Sequence, residues 1–217
     1  IHDNILTGGC HMGIRVSGEG PNVEVHHNDI RHHARYVNGY ALACACPGMK
    51  VHHNRVTSTG RGAHLTREGI EFHHNYLDLH GHRTLDDMPP KSRPFKLIAV
   101  ELHGIKLEGS RVRRCKVHDN YVRIVQRLPT EPTARLRDVP ATPLNIACYD
   151  PNAMNEIWGN TIVALTEYRK SHHGPYGRAG EWAAALYFVG MTRGPARPGN
   201  YSAWIHDNRF TSNDIFI

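Results

Sequence analysis

No stretch of the sequence reaches the roughly 18 consecutive apolar residues of a membrane-spanning helix, so no membrane span is expected. No basic segment precedes an apolar core, and no signal peptide is visible. Cysteine is sparse: Cys10, Cys44, Cys46, Cys115 and Cys148 are too few and too irregular for a disulfide-dense scaffold. The 20 glycines and 13 prolines are scattered rather than tandem, which excludes collagen-like and linker character. No Gly-x-Gly-x-x-Gly opens a helix and no phosphate-binding loop is present, so nucleotide chemistry has no support. What is abundant is histidine, 18 residues in a chain of 217, and its placement is not random.

Self-comparison shows why. The segments at 1–4 (IHDN), 25–28 and 51–54 (VHHN), 72–75 (FHHN), 117–120 (VHDN), 157–160 (IWGN) and 205–208 (IHDN) align on Asn4, Asn28, Asn54, Asn75, Asn120, Asn160 and Asn208. Three residues before each Asn stands an apolar residue: Ile1, Val25, Val51, Phe72, Val117, Ile157 and Ile205. Two residues after it stands another: Leu6, Ile30, Val56, Leu77, Val122, Ile162 and Phe210. Side chains alternate between these positions, the period-2 signature of short strands. A further strand precedes each anchor, ending in apolar pairs two apart: Ile14/Val16, Leu42/Cys44, Ala63/Leu65, Ile105/Leu107, Ile146/Cys148 and Leu186/Phe188. Each repeat therefore reads as first strand, turn, second strand, Asn bend, third strand and loop. Asn suits the bend because it tolerates the left-handed conformation and hydrogen-bonds locally. The anchors fall 24, 26, 21, 45, 40 and 48 residues apart, a spacing that predicts a solenoid.

The repeat resembles the right-handed parallel β-helix of the pectate-lyase type, where an Asn ladder fills the tight bend between the second and third strands. The resemblance covers essentially all of residues 1–217 and implies one all-β domain of about six coils. The chain begins inside a second strand, at Ile1, and ends inside a first strand, Ile215–Ile217. Neither end reads as a solenoid cap, so a section of a longer solenoid, with flanking domains or end-to-end self-association, is expected.

Stacked coils turn each column of the alignment into a surface stripe. Two residues before the anchors lie His2, His26, His52, His73, His118, Trp158 and His206, an outward ladder. It reads either as a metal-binding stripe or as a stacked outer face of the sheet; a flat stripe converges poorly on an ion, so no metal ligands are assigned. Four residues before the anchors, Glu24, Lys50, Glu71, Lys116 and Glu156 alternate in sign and Trp204 follows. Opposite charges on neighbouring strands support register.

Three long insertions, at about residues 78–103, 123–143 and 163–184, fall between a third strand and the next first strand, with a smaller one at about 190–202. They predict a wall of loops on one side, beside the first-strand sheet. In proteins of the pectate-lyase type that wall and sheet form a saccharide cleft. The column facing it is expected to hold Arg15, Ala43, His64, Lys106, Ala147 and Tyr187, followed by Ser17, Ala45, Thr66, Glu108, Tyr149 and Val189. Arg67, Glu101, His103 and Asp150 lie near in sequence.

Eliminative cleavage of a uronate polymer needs a cation for the carboxylate, a base for the C5 proton and an acid for the leaving oxygen. Lys106, Arg67 and His64 are the candidates for charge and base, and Tyr149 for the acid. Arg15, Glu108, Asp150 and Tyr187 are the candidate substrate-binding residues. Hydrolysis would instead need a carboxyl pair, for which Glu108 and Asp150 are the best available. The polygalacturonase set of Asn-Thr-Asp, Asp-Asp, Gly-His-Gly and Arg-Ile-Lys is absent, as is a pectate-lyase Asp cluster for calcium. Asp150-Pro151-Asn152 approaches the Asp-Pro-His of alginate C5-epimerases but lacks the histidine.

The net charge of +6 and the basic stretches 111–116 and 127–137 suit a polyanion. Nucleic acid is disfavoured because no binding motif accompanies them. The expectation is an extracellular or periplasmic β-helix that binds, and cleaves by a lyase-like route, an acidic polysaccharide, with its cofactor requirement undefined. The competing expectations are a non-catalytic structural or adhesive β-helix of a surface assembly and a metal-binding module using the His ladder.

Overall fold

The computed structural model describes residues 1–8, 11–20, 22–33, 39–81, 97–98, 102–127, 135–136, 141–167, 186–188 and 195–213. Among these the secondary structure is all β, with no helix, and every strand pairing is parallel. No helix among them is long and apolar enough to cross a membrane.

Three long sheets take successive strands in rotation. The first-strand sheet runs Leu186–Phe188, Ala141–Ala147, Leu102–Glu108, Arg61–Leu65, Tyr40–Ala45 and Met12–Ser17. The second runs Ala203–His206, Asn155–Trp158, Lys116–His118, Glu71–His73, Lys50–His52 and Glu24–His26. The third runs Ile5–Gly8, Asp29–His33, Arg55–Thr59, Tyr76–His80, Tyr121–Gln126, Thr161–Thr166 and Arg209–Ser212. This architecture is compatible with a parallel β-helix. A fourth, two-stranded sheet pairs Leu97–Ile98 with Arg135–Leu136, which sets parts of the first two insertions side by side. The remainder of the three insertions lies largely outside the described residues.

Period-2 alternation drives one apolar column from each sheet inward. Val25, Val51, Phe72, Val117 and Ile157 stack from the second sheet and Ile30, Val56, Leu77, Val122 and Ile162 from the third, all buried. The first sheet contributes Ile14, Leu42, Ala63, Ile105 and Leu144. Cys44, Cys46, Cys115 and Cys148 are free and buried among them, and burial pushes the thiols of Cys44, Cys115 and Cys148 up to about 12. The charge column pairs by register as expected, Glu24 with Lys50, Lys50 with Glu71, Glu71 with Lys116 and Lys116 with Glu156.

At the bend between the second and third strands the asparagine side chains form a continuous hydrogen-bonded series. Each Nδ2 donates to the Oδ1 of the next, from Asn4 to Asn208, at 2.8–3.1 Å. One correction concerns why Asn is used there. The left-handed residue is the one before it: Asp3, His27, His53, His74, Asp119 and Asp207 have φ between 52° and 55°, and Gly159 has φ 64°. Asn acts through its amide, which donates to the next Asn and to carbonyls of its own and the preceding coil.

That backbone geometry makes the outer face of the second sheet a double imidazole ladder. His2, His26, His52, His73 and His118 stack at 4.9–5.0 Å, and Trp158 caps His118 at 4.3 Å. His27, His53 and His74, at the left-handed positions, stack beside them at 5.1 Å. Burial, reinforced by neighbouring imidazoles, lowers His26 and His53 and pushes His73 down to about 4. These rings are neutral at pH 7.

A second correction concerns register. Leu144 and Ile146, not Ile146 and Cys148, stand opposite Ile105 and Leu107. The inward phase is unchanged because the slip is of two residues. The difference is taken up after the strand, where Asp150 Oδ1 accepts from the Asn152 backbone N–H at 2.9 Å in a local turn. Asn145 therefore replaces Ala147 opposite Lys106, and Ala147 replaces Tyr149 opposite Glu108. Val189 lies outside the described residues.

Candidate functional site

Adjacent strands of the first sheet place His64 directly opposite Lys106, and Lys106 opposite Asn145. Alternation aims all three side chains away from the apolar interior. Glu108, two residues beyond Lys106 on the same face, closes the group. Its Oε2 lies 3.0 Å from His64 Nε2, and its Oε1 lies 3.0 Å from Lys106 Nζ.

The imidazole is further confined by its neighbours. Tyr40, buried, stacks on His64 with ring centroids 4.6 Å apart, and the Arg61 guanidinium lies 5.2 Å over the same tyrosine ring. Burial pushes His64 down to about 4; the Glu108 carboxylate opposes this, and the charges of Lys106 and Arg61 assist it. Burial alone would raise the Glu108 carboxyl, but its hydrogen bond with Lys106, the lysine charge and His64 together hold it below the ordinary carboxylate value. At neutral pH the group is thus a neutral imidazole, an ammonium and a carboxylate. A neutral His64 donates Nε2–H to Glu108, which leaves Nδ1 as its basic nitrogen.

On the neighbouring strand a buried polar network continues the face. His103 Nδ1 lies 2.8 Å from Thr142 Oγ1, and Asn145 Nδ2 lies 3.2 Å from His103 Nδ1. Among the described residues Asn145 Oδ1 is buried with no hydrogen-bond partner, and an orphaned buried acceptor costs about 1–3 kcal/mol. Thr142 and Asn145 were not among the residues expected from sequence. Only the corrected register would have drawn Asn145 beside Lys106.

The other expected residues are placed less centrally. Arg15 is exposed and lies in the His64 column, with Ala43 between them. Arg67 follows the His64 strand; its Nε is buried without a partner among the described residues, and its carbonyl accepts from Cys115 Sγ at 3.2 Å. Tyr149 and Asp150 are half-buried beyond the end of the Asn145 strand, and Asp150 serves the turn described above. The Tyr187 backbone pairs with Asn145, while its side chain lies outside the described set. Glu101 also lies outside it.

The arrangement can orient an imidazole base, present one ammonium to an anion and hydrogen-bond a hydroxyl or carboxylate at Asn145. No protein-family model matches the chain, and no curated protein or solved structure matches it.

Proposed function

We propose that the chain is a right-handed parallel β-helix of about six coils, of the pectate-lyase type, that binds an acidic polysaccharide along its first-strand sheet and cleaves it by elimination. The observation that supports this reading best is the neutral His64 imidazole, held by Glu108 beside Lys106. An imidazole at about 4 is a weak base at neutral pH, and general bases work best with a pKa near the operating pH. An anionic sugar bound against it raises it toward that range, because an opposite charge favours the protonated form. A neutral sugar does not. The cleft is therefore matched to a uronate.

In this mechanism Lys106, with Arg15 and Arg67, neutralises the uronate carboxylate and stabilises the charge that develops when the C5 proton leaves. His64 Nδ1 takes that proton. The C4–O bond breaks as the C4–C5 double bond forms, and Tyr149 protonates the leaving oxygen. Glu108 orients His64, while Asp150 and Tyr187 contribute to sugar binding. Such a substrate places the working protein outside the cytoplasm, in the extracellular or periplasmic space.

The test is incubation with a panel of uronate polymers, following the ultraviolet absorbance of the unsaturated product. The wild-type chain is expected to generate it, and His64→Ala to reduce the rate by about 10²- to 10⁴-fold, the usual contribution of a positioned base. Lys106→Ala is expected to weaken binding as well as turnover. Neither binding nor product across the panel would remove the reading and favour a structural or adhesive role.

A further inference from the structure

The double imidazole ladder is flanked by histidine–aspartate pairs, His2 with Asp3 at 2.7 Å, His118 with Asp119 at 2.9 Å and His206 with Asp207 at 2.8 Å. In the pairs His26/His27, His52/His53 and His73/His74 the two Nδ1 atoms lie 2.8, 2.9 and 2.9 Å apart. Each such contact is satisfied when one ring donates Nδ1–H and the other accepts. In the next coil Asp119 replaces the second imidazole, and His118 Nδ1 lies 2.9 Å from Asp119 Oδ2.

The other nitrogen of His118 also faces a carboxylate, with Nε2 3.4 Å from Glu71 Oε1. A neutral imidazole has one N–H and cannot donate to both. His52 shows the contrast: its Nε2 faces Glu24 at 3.3 Å, but its Nδ1 faces another histidine at 2.9 Å. At His118, by contrast, both ring nitrogens face carboxylate oxygens, and this concentration of negative charge around one imidazole attracts a cation.

A third ligand stands at the same place. His74, in the preceding coil, offers a ligand atom, and the ligand atoms of His74, His118 and Asp119 all lie within 4.8 Å of one another. Ligand atoms about 2.0–2.1 Å from a zinc ion stand roughly 2.9 Å apart at a right angle and about 3.3 Å apart at a tetrahedral one. The His118–Asp119 edge already has that length. The far side of Asp119 is kept open by Gly159, where a Cβ would fall 2.5 Å from Asp119 Oδ1. Glycine there leaves the carboxylate its room.

We propose that His74, His118 and Asp119 bind a divalent transition-metal ion of the zinc class, with Glu71 accepting Nε2–H of His118 as the outer carboxylate that fixes its tautomer. Two imidazoles and one carboxylate form a donor set suited to zinc and neighbouring first-row metals. The carboxylate–histidine–metal order is the usual way such a ligand is oriented. His74 and Asp119 are exposed, so the remaining coordination positions open to water or to an external ligand. This site lies on the second sheet and does not depend on the sugar-cleft reading.

The test is calorimetric titration of the chain with Zn²⁺ at neutral pH. One ion per chain is expected. Asp119→Asn, which keeps a residue that tolerates the φ of 53° at this position, is expected to weaken binding at least tenfold, and Glu71→Gln by about 10- to 100-fold. His27→Asn, in a pair without a carboxylate, is expected to leave affinity unchanged. X-ray absorption on the zinc-loaded wild-type chain provides a measurement that needs no variant: two imidazole nitrogens and a carboxylate oxygen at about 2.0–2.2 Å are expected. Absence of binding, affinity unchanged in both carboxylate variants, or an all-imidazole shell would overturn the proposal.

Discussion

Asn75 donates from Nδ2 to Asn120 Oδ1 at 3.1 Å although 45 residues separate them. The same oxygen accepts from the Asn75 backbone N–H at 3.0 Å. Asn28 and Asn54, 26 residues apart, make the same pair of contacts at 2.9 and 3.1 Å. An insertion of some twenty residues between coils therefore leaves the bend unaltered. Loop-closure entropy grows only slowly with length, so the insertions are tolerated wherever the bend re-forms its amide contacts.

Replacing Asn75 by Ala removes the oxygen that accepts from both the backbone N–H and the side-chain amide of Asn54. The Asn54 N–H is then orphaned in a buried site, and the amide contacts to the Val51 and His73 carbonyls are lost as well. A loss of about 3 kcal/mol in unfolding free energy is expected, measured by urea denaturation. Asn4→Ala, at an exposed rung of the series, is expected to cost less than about 1 kcal/mol. Equal effects at both positions would mean that the amide series adds nothing beyond local turn formation.

The inward columns and the alternating charge column were legible because strict period-2 patterns repeat beside an unmistakable anchor. What remained hidden depended on backbone conformation and on register. The His-His doublets at 26–27, 52–53 and 73–74 are plain in the sequence, but only the left-handed φ of the second member turns two neighbours in one chain into two adjacent columns. Leu144, Ile146 and Cys148 all fit the inward phase, so alternation could not choose among them; the extra turn at Asp150 decided it. That choice moved Tyr149 off the Glu108 row and brought Asn145 to Lys106. Residue type marked His64, Lys106 and Glu108 as candidates, while their mutual contacts follow from strand pairing across sequence separations no local pattern reports.

Gly104 faces the Pro143 carbonyl of the neighbouring strand. A Cβ there would lie within 2.2 Å of that oxygen and 2.4 Å of Val122 Cγ1, where neither the backbone nor a branched core side chain can withdraw cheaply. Gly104→Ala is expected to destabilise by about 3 kcal/mol or more, seen as a large fall in the urea midpoint. Gly20→Ala, which meets nothing within 4 Å and needs no positive φ, is expected to change stability by less than about 0.5 kcal/mol. A mild Gly104→Ala would show that the first sheet spreads to admit a methyl group.

Cys44, Cys115 and Cys148 are buried in the apolar interior with thiols pushed up to about 12. The thiolate is the reactive species, so alkylation at pH 8 is expected to leave all three unmodified in the native chain and to label them fully in denaturant. Peptide mass spectrometry assigns the label residue by residue. Rapid native labelling of any of the three would show that its coil opens locally.

His64 makes folding stability depend on pH. Its imidazole is pushed from an ordinary value of 6.5 down to about 4 by burial. Between those two values the unfolded chain binds a proton at this residue and the folded chain does not, so stability rises with pH across that window. The contribution is whole above about pH 6.5 and is lost as pH falls toward about 4. Glu108, held below its ordinary value, acts in the same direction at the acid end, where stability falls once that carboxylate must be protonated. Urea denaturation at about pH 7 and about pH 5 is expected to show a larger loss for the wild-type chain than for His64→Gln, which has no proton to gain there. The ring-proton NMR signals of His64 are expected to show a neutral ring at pH 5. A midpoint near 6.5 would mean that water reaches the ring freely, and the stability difference between wild type and variant would then vanish.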